Sequence, residues 1–391
     1  MRRVKLEDVT SFVRNGKSIK NSRDNFGIPI TRIETISDGS FNPEKLGYGV
    51  IKNLDKIGDY WLQDGDILMS HINSPKHLGK SAIYKHNGLN VIHGMNLLCI
   101  RAKKEIVLAE YLNYFFSSKY FYRFIESISN QSVNQASFSA SKLKNLEIWL
   151  PSLDDQEAIV TKLDLAQRLI DIDREMLAKY DELIQSIFMD MFGESTNGNI
   201  PLSDLVEINP RKSEISDHDK SLPVSFVGMA DVGENGSLNL SRESTIHECW
   251  NGYTYFKEGD VLFAKITPCM ENGKGAIAIG LENKIGFGST EFHVLRPKKD
   301  ITKATWIYYL SYSERFRKVA ESFMTGSAGQ KRVPSYFFEQ FKVNNPPIHK
   351  QDEFEDIVNS IKNIKKKIEF SLNKSKELLS SLMNNAFSYY Q

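Results

Sequence analysis

The stretch NNPPIH at residues 344–349 carries residue types that amino-methyltransferases use in an Asn/Asp-Pro-Pro-aromatic loop to hold a target amine. That chemistry needs an aromatic ring at the fourth position, and Ile348 stands there. No Gly-rich strand–turn–helix site for a methyl donor precedes it. Pro346 and Pro347 read instead as helix-start punctuation, because proline is tolerated where the first amides need no partner. His71, His77, His86 and His93 cluster loosely in the sequence. Their spacing fits no usual zinc pattern and no carboxylate completes it, so they read as surface or loop histidines near phosphate. The sequence HEC at 247–249 reads as incidental. GKS at 79–81 lacks the upstream glycine, four intervening residues before its Gly-Lys, that a phosphate-cradling loop requires. GSTEF at 288–292 is not a GxSxG elbow. No nucleophile–base pair is legible, so no catalytic residue and no metal ligand is assigned.

Basic and amide side chains on loops are the better candidates. Arg14, Lys17, Lys20 and Arg23 follow the first strand, and Arg211 and Lys212 hold nearly the same place in the second half. Lys80 and Lys274 are repeat-equivalent, as are the neighbourhoods of Gln135 and Gln330, where Lys331 and Arg332 follow; Lys76 and Lys265 are further candidates. Lysine and arginine on such loops supply phosphate contacts, while Arg, Asn and Gln read base edges. For any one of them a solvated charged face is an equal account.

The chain that must position these residues has 391 residues, 41% hydrophobic and 25% charged. That suits two or three soluble domains with ample core. No apolar run approaches the length of a membrane span, and the start MRRVKLEDVTSFV has no apolar stretch of a secretory signal. Cys99, Cys249 and Cys269 form no CxxC and no disulfide framework, which fits a reducing cytoplasm. The net charge is +1, but it averages unlike parts. Residues 153–192 hold ten acidic and four basic residues, so the globular remainder is basic. A modest positive surplus suits phosphate contact.

The chain is written twice. LPSLDDQEAIVTKLD at 150–164 and NPPIHKQDEFEDIVN at 345–359 share Pro-x-x-x-x-Gln followed by an acidic, apolar-periodic stretch. YWLQDGDILMS at 60–70 matches YTYFKEGDVLFA at 253–264, and LGKSAIYK at 78–85 matches NGKGAIAI at 272–279. CIRAKKEIVLAEYLNYFFSSKYF at 99–121 matches VLRPKKDITKATWIYYLSYSERF at 294–316. The offset stays near 195 throughout, so a whole domain plus a helix is duplicated. Each half reads as short strands, one aromatic-rich helix (109–125 or 304–320), then a long helix of about 40 residues, roughly 60 Å.

In the first long helix Ile159, Leu163, Ala166, Ile170, Asp173, Leu177, Tyr180, Ile184, Ile187 and Met191 alternate in steps of four and three. Phe354, Val358, Ile361, Lys365, Ile368, Leu372, Ser375, Leu379, Leu382 and Ala386 make the same ladder in the second. These are coiled-coil seams, and each copy is the economical partner of the other. An antiparallel pair with Asp173 opposite Lys365 would align the apolar seam and pair its lone charges, making that pair the register key.

These features together resemble the specificity subunit of type I restriction-modification enzymes. The doubled proline–glutamine start, the ending IQSIFMDMFG, and GDVLFAKITPCMENGKGAIAI, GSTEFHVLRP and GSAGQKRVP carry the resemblance over essentially the full length. It implies an α+β fold with two pseudo-repeated target-recognition domains, at 1–150 and 196–345. Two long antiparallel coiled-coil helices, at 151–195 and 346–391, would hold them apart. Each domain would read one half of a bipartite sequence in double-stranded DNA. The helices would bind two methyltransferase subunits, which use S-adenosylmethionine to methylate adenine N6, and restriction subunits would join. The chain itself would hold no cofactor and catalyse nothing. Two other functions share some of these features: a coiled-coil adaptor without DNA readout, and a stand-alone adenine methyltransferase.

Overall fold

A computed structural model describes residues 2–20, 26–51, 57–86, 88–132, 135–193, 198–327 and 329–388. The chain divides into two compact units, one of residues 1–172 with 371–391 and one of residues 173–370. The division falls within both long helices, because each globular domain packs on one end of each helix.

In the first unit, strands Thr10–Asn15, Leu97–Ala102, Ile67–Ser70 and Ser81–Ile83 form an antiparallel sheet in that order. The strand Arg2–Lys5 pairs with Glu147–Leu150, so the domain's first and last strands close it. A ribbon of Ile72–Asn73, Ala136–Ser137 and Asn130–Gln131 lies at one end. The main core gathers Ile67, Met69, Leu98 and Ile100 from the sheet with Leu112, Phe115 and Phe121. Val160 and Leu163 of the helix Leu153–Phe192 join it, as does Phe387 just past the helix Ile348–Ala386.

The second unit repeats this. Strands Val206–Ile208, Phe292–Pro297, Val261–Ala264 and Gly275–Ile277 take the same order, and Ile200–Pro201 pairs with Lys342–Val343. Isolated bridges of Arg332 with Ile266 and Thr325 stand where the first unit has its ribbon. A further four-stranded sheet, Glu243–Thr245, Pro223–Val227, Ile285–Gly288 and Thr254–Lys257, contains one parallel pairing. The first unit has a reduced version: Ile28–Ile30 pairs with Gly47–Gly49, and Ile30 and Trp61 each bridge Ile92.

Each aromatic-rich helix is in fact two: Ala109–Phe115 and Lys119–Ile128, then Ala304–Tyr312 and Glu314–Phe323. The break has one cause in both copies. The Ser118 hydroxyl accepts from the Phe121 amide at 3.2 Å, and that of Ser313 from the Phe316 amide at 3.4 Å. A serine cap lets a new helix start at a new angle.

The long helices run 40 and 39 residues. Their shared Pro-x-x-x-x-Gln is a buried latch. The Gln156 side chain is fully buried; its carbonyl accepts from the Leu108 amide at 2.9 Å. Its amide donates to Ile106 O at 3.2 Å and Pro151 O at 3.1 Å. Gln351, equally buried, accepts from the Lys303 amide at 2.8 Å and donates to Pro346 O at 2.8 Å. One amide thus ties the loop before the domain's helix pair to the first turn of the long helix. Replacing Gln156 or Gln351 with Ala strands a backbone N–H and carbonyls in the interior. We expect each variant to lose about 2–3 kcal/mol in urea unfolding, since each buried orphan costs on the order of 1–3 kcal/mol. A loss within a few tenths of a kcal/mol would refute the latch.

The apolar seam is present. Leu163, Ala166 and Ile170 are buried in the first unit, and Ile184, Phe354, Val358 and Ile361 in the second. The register differs from that set by Asp173 facing Lys365. Lys365 pairs with Asp181, and Asp173 has a buried carboxylate oxygen without a hydrogen-bond partner. Phe188 and Phe192 both pack on Phe354, with centroids 5.6 and 5.5 Å apart. Tyr309 stacks edge-on against Phe354 at 5.3 Å. This aromatic block fixes the slip. Several buried rings are each worth about 0.5–1.5 kcal/mol beyond their area, against about 0–1 kcal/mol for one half-exposed ion pair. Lys365 then reaches a flanking carboxylate with its long stem. It follows that Asp173→Leu should be neutral or stabilising by about 1–2 kcal/mol, because it removes an unpartnered polar atom from the seam. A drop in melting temperature for Asp173→Leu would contradict this.

Candidate nucleic-acid interface

The two domains present equivalent loops at the ribbon end of their main sheets. In the first domain, Ile33, Ile72, Asn73, Ser74, Asn96 and Gln135 line an open cleft of about 390 Å³. Asn73 is used internally: its amide donates to Ser70 Oγ at 3.1 Å and its carbonyl accepts from the Ser74 amide at 2.8 Å. Asn96 and Gln135 are exposed. Lys76 is exposed on the turn Pro75–His77 beside the cleft. Lys80 is half-buried and donates to Ser37 O at 3.1 Å.

In the second domain the same positions are charged. Glu291 stands where the first domain has Asn96, and Arg332 where it has Ser137. Arg332 grips Glu291 with Nε at 2.9 Å and Nη2 at 2.8 Å, and its Nη1 donates to Gln330 O at 3.0 Å. The Arg332 hydrogen bond holds the Glu291 carboxyl below its ordinary range. Burial draws the neighbouring Lys265 ammonium below its own range, and Glu291 offsets part of that. Gln330 and Lys331 are exposed. Lys274 donates to Met229 O at 3.3 Å, the counterpart of the Lys80 contact.

Other candidates lie elsewhere in each domain. Arg14 stacks 4.1 Å from the Phe12 ring centroid and 4.7 Å from that of Tyr60, and also donates to Asp59 O. Lys17 lies 5.3 Å from the Tyr60 ring. Lys212 donates to Trp250 O, and Lys220 sits 3.2 Å over the Trp250 ring. Lys20 and Arg211 are exposed. Arg23 lies outside the described residues. The loops therefore combine exposed cations and amides with others already engaged in holding the fold. Asn73, Asn96 and Glu291 escaped the sequence reading; the offset of the repeat sets Asn96 against Glu291, but only the fold brings them beside Gln135 and Arg332.

The histidines are not a surface cluster. His71 and His93 are buried, His77 is half-buried and His86 exposed. His93 Nε2 bonds Leu97 O at 2.8 Å, and burial pushes its imidazole down to about 4. Among the described residues no group of three or more His, Cys, Asp or Glu could hold a metal ion. NPPI is a helix start: the helix begins at Ile348, and Pro346 O accepts from Gln351. Among the described residues, no helix is long and apolar enough to cross a membrane.

A duplicated domain, each copy followed by a long helix and carrying cationic and amide loops, defines a protein with two recognition modules and no legible reaction centre. The family model for the type I restriction modification DNA specificity domain matches residues 1–179 and again 194–378. The chain belongs to this family, as its non-catalytic DNA-specificity subunit with two recognition domains. It is 28% identical over 405 residues to a putative type I restriction enzyme MjaX specificity subunit of Methanocaldococcus jannaschii, covering 97% of this chain and 91% of that one. It is 44% identical over 155 residues to the EcoAI specificity subunit of Escherichia coli, covering 39% of this chain and 25% of that one. A solved structure from work on assembly and conformational transition of the type I R-M system shares the fold, with a TM-score of 0.55 at 16% identity, covering 99% of this chain and 97% of that one. Subunits of this family act with others in a complex and bind DNA.

Proposed function

We propose that each domain of this chain reads one half of an interrupted duplex sequence. We also propose that the long helices dock two methyltransferase subunits, with restriction subunits joining that complex. The observation that supports the split target is the duplication. It reaches from sequence motifs to matched hydrogen bonds, as in the Gln156 and Gln351 latches, so each half is a complete reader with its own helix. The loop chemistry differs between copies, which suits two different half-sites. Docking on the helices is supported by a second apolar row on the helix Leu153–Phe192. Leu165, Leu169, Ile172 and Met176, spaced four, three and four, are all exposed. Such a row on a helix whose seam is already filled suits a partner helix. The partner methyltransferases would use S-adenosylmethionine on adenine N6, and this chain would hold none. Such a complex acts in the cytoplasm, where its DNA is.

The test is exchange of residues 1–150 for the first domain of another family member, in a chain co-expressed with a type I methyltransferase subunit from the same genome. Methylome sequencing should show one altered half-site and one unchanged. Alteration of both half-sites would end the independent-reader account.

A further inference from the structure

We infer that Asn96 and Gln135 are specificity-determining residues of the first domain, and that the base pair they select contains adenine. The inference rests on the proposed DNA reading and goes further by naming the pair.

Three observations carry it. First, both side chains line the open cleft, and among the described residues neither side-chain amide is held by a hydrogen bond. Asn73, the third amide there, is satisfied internally and serves as wall. Second, among the described residues the lining holds no charged side chain. Its polar side chains without an internal hydrogen bond are the two carboxamides and the Ser74 hydroxyl, and only the carboxamides offer a donor and an acceptor side by side. That pair matches adenine, whose edge presents N7 as acceptor and N6 as donor. Guanine presents two acceptors and is best met by Arg or Lys. Third, the second domain shows what closes the same place. There Glu291 and Arg332 replace Asn96 and Ser137, and their bidentate pair fills the position. With its third nitrogen bonded to Gln330 O, the Arg332 fork is spent on the fold. The neutral amides of the first domain have no such internal use. Lys76, exposed on the adjoining turn, is placed for a phosphate next to the base pair being read.

The experiment uses the full chain in its methyltransferase complex. Asn96→Ala, Gln135→Ala and the double variant are compared with the wild type by methylome sequencing. Selection of bound duplexes from a random library reads the same preference without needing methyl transfer. Both residues are exposed, so thermal unfolding should be unchanged. The expected result is relaxation at one A·T pair of one half-site, other than the methylated adenine. Preference there should fall by about 5- to 150-fold, the range for one bidentate contact, with the other half-site intact. An unchanged preference in the double variant, or relaxation at a G·C pair, would overturn the proposal. A wild-type complex with no split preference at all would overturn the DNA reading, and the proposal with it.

Discussion

Arg296→Met should destabilise the second unit by about 3–5 kcal/mol, the cost of removing one partner from a buried ion pair. Asp260 is 1% exposed, and Arg296 holds both its oxygens at 2.8 Å. Arg296 also bonds both oxygens of Glu214 at 2.8 Å. Burial works against the guanidinium charge, and these two carboxylates overcome it, raising its pKa above the ordinary range. Without the arginine, a carboxylate remains in the core with only the Lys257 amide to solvate it. The first domain contains the same device: Arg101 grips Asp66 at 2.7 Å with two nitrogens. Arg101→Met should therefore behave alike. Arg296→Met combined with Asp260→Asn should recover much of the loss, since asparagine keeps the acceptor for Lys257 without the charge. Urea unfolding of the single and double variants checks this; a single variant within 1 kcal/mol of wild type would sink it.

Acid should destabilise both units well before their carboxylates are fully protonated. His93 and His293 are buried, and burial pushes both imidazoles down to about 4. His293 is also bonded at both ring nitrogens. Its Nε2 bonds Val333 O at 2.8 Å, while its Nδ1 faces the Asn209 side-chain amide at 3.1 Å. Asn209 Oδ1 lies 3.4 Å from Nδ1 as well and accepts from the Val294 amide at 3.0 Å. Burial outweighs the Val333 bond, which favours the charge; nearby Lys265 also disfavours it, and Glu291 favours it. An unfolded histidine takes its proton near pH 6.5, the folded ones only near 4. Between those values the unfolded chain binds more protons, so stability falls as pH falls. At 1.36 kcal/mol per unit, each histidine removes about 2 kcal/mol by pH 5 and about 3 kcal/mol by pH 4. Urea midpoints at pH 7 and pH 5 should show this drop, and His293→Asn should have a shallower one. Equal slopes for wild type and variant would contradict the assignment.

The duplication, the strands after each Gly-Asp, and the seams were legible because each is a local or periodic pattern. The coil register was not. A heptad seam looks the same after a slip of seven, and Phe188 and Phe192, off the seam as read, decided it. The helix breaks at Ser118 and Ser313 were hidden inside continuous apolar periodicity. In the candidate interface, the cationic loops stood out by composition. Which cations are free did not, because Arg332 meets its partner Glu291 from 41 residues away. Asn96 carries no spacing signal of its own; only the fold places it beside Gln135.

The central claim is that this chain alone sets a split DNA sequence for a methylating complex. Co-expression with a type I methyltransferase subunit, followed by methylome sequencing, tests it most directly. The account predicts adenine methylation at one interrupted motif with two unlike halves, absent when this chain is omitted. Methylation at an uninterrupted motif, or the same motif without this chain, would contradict it.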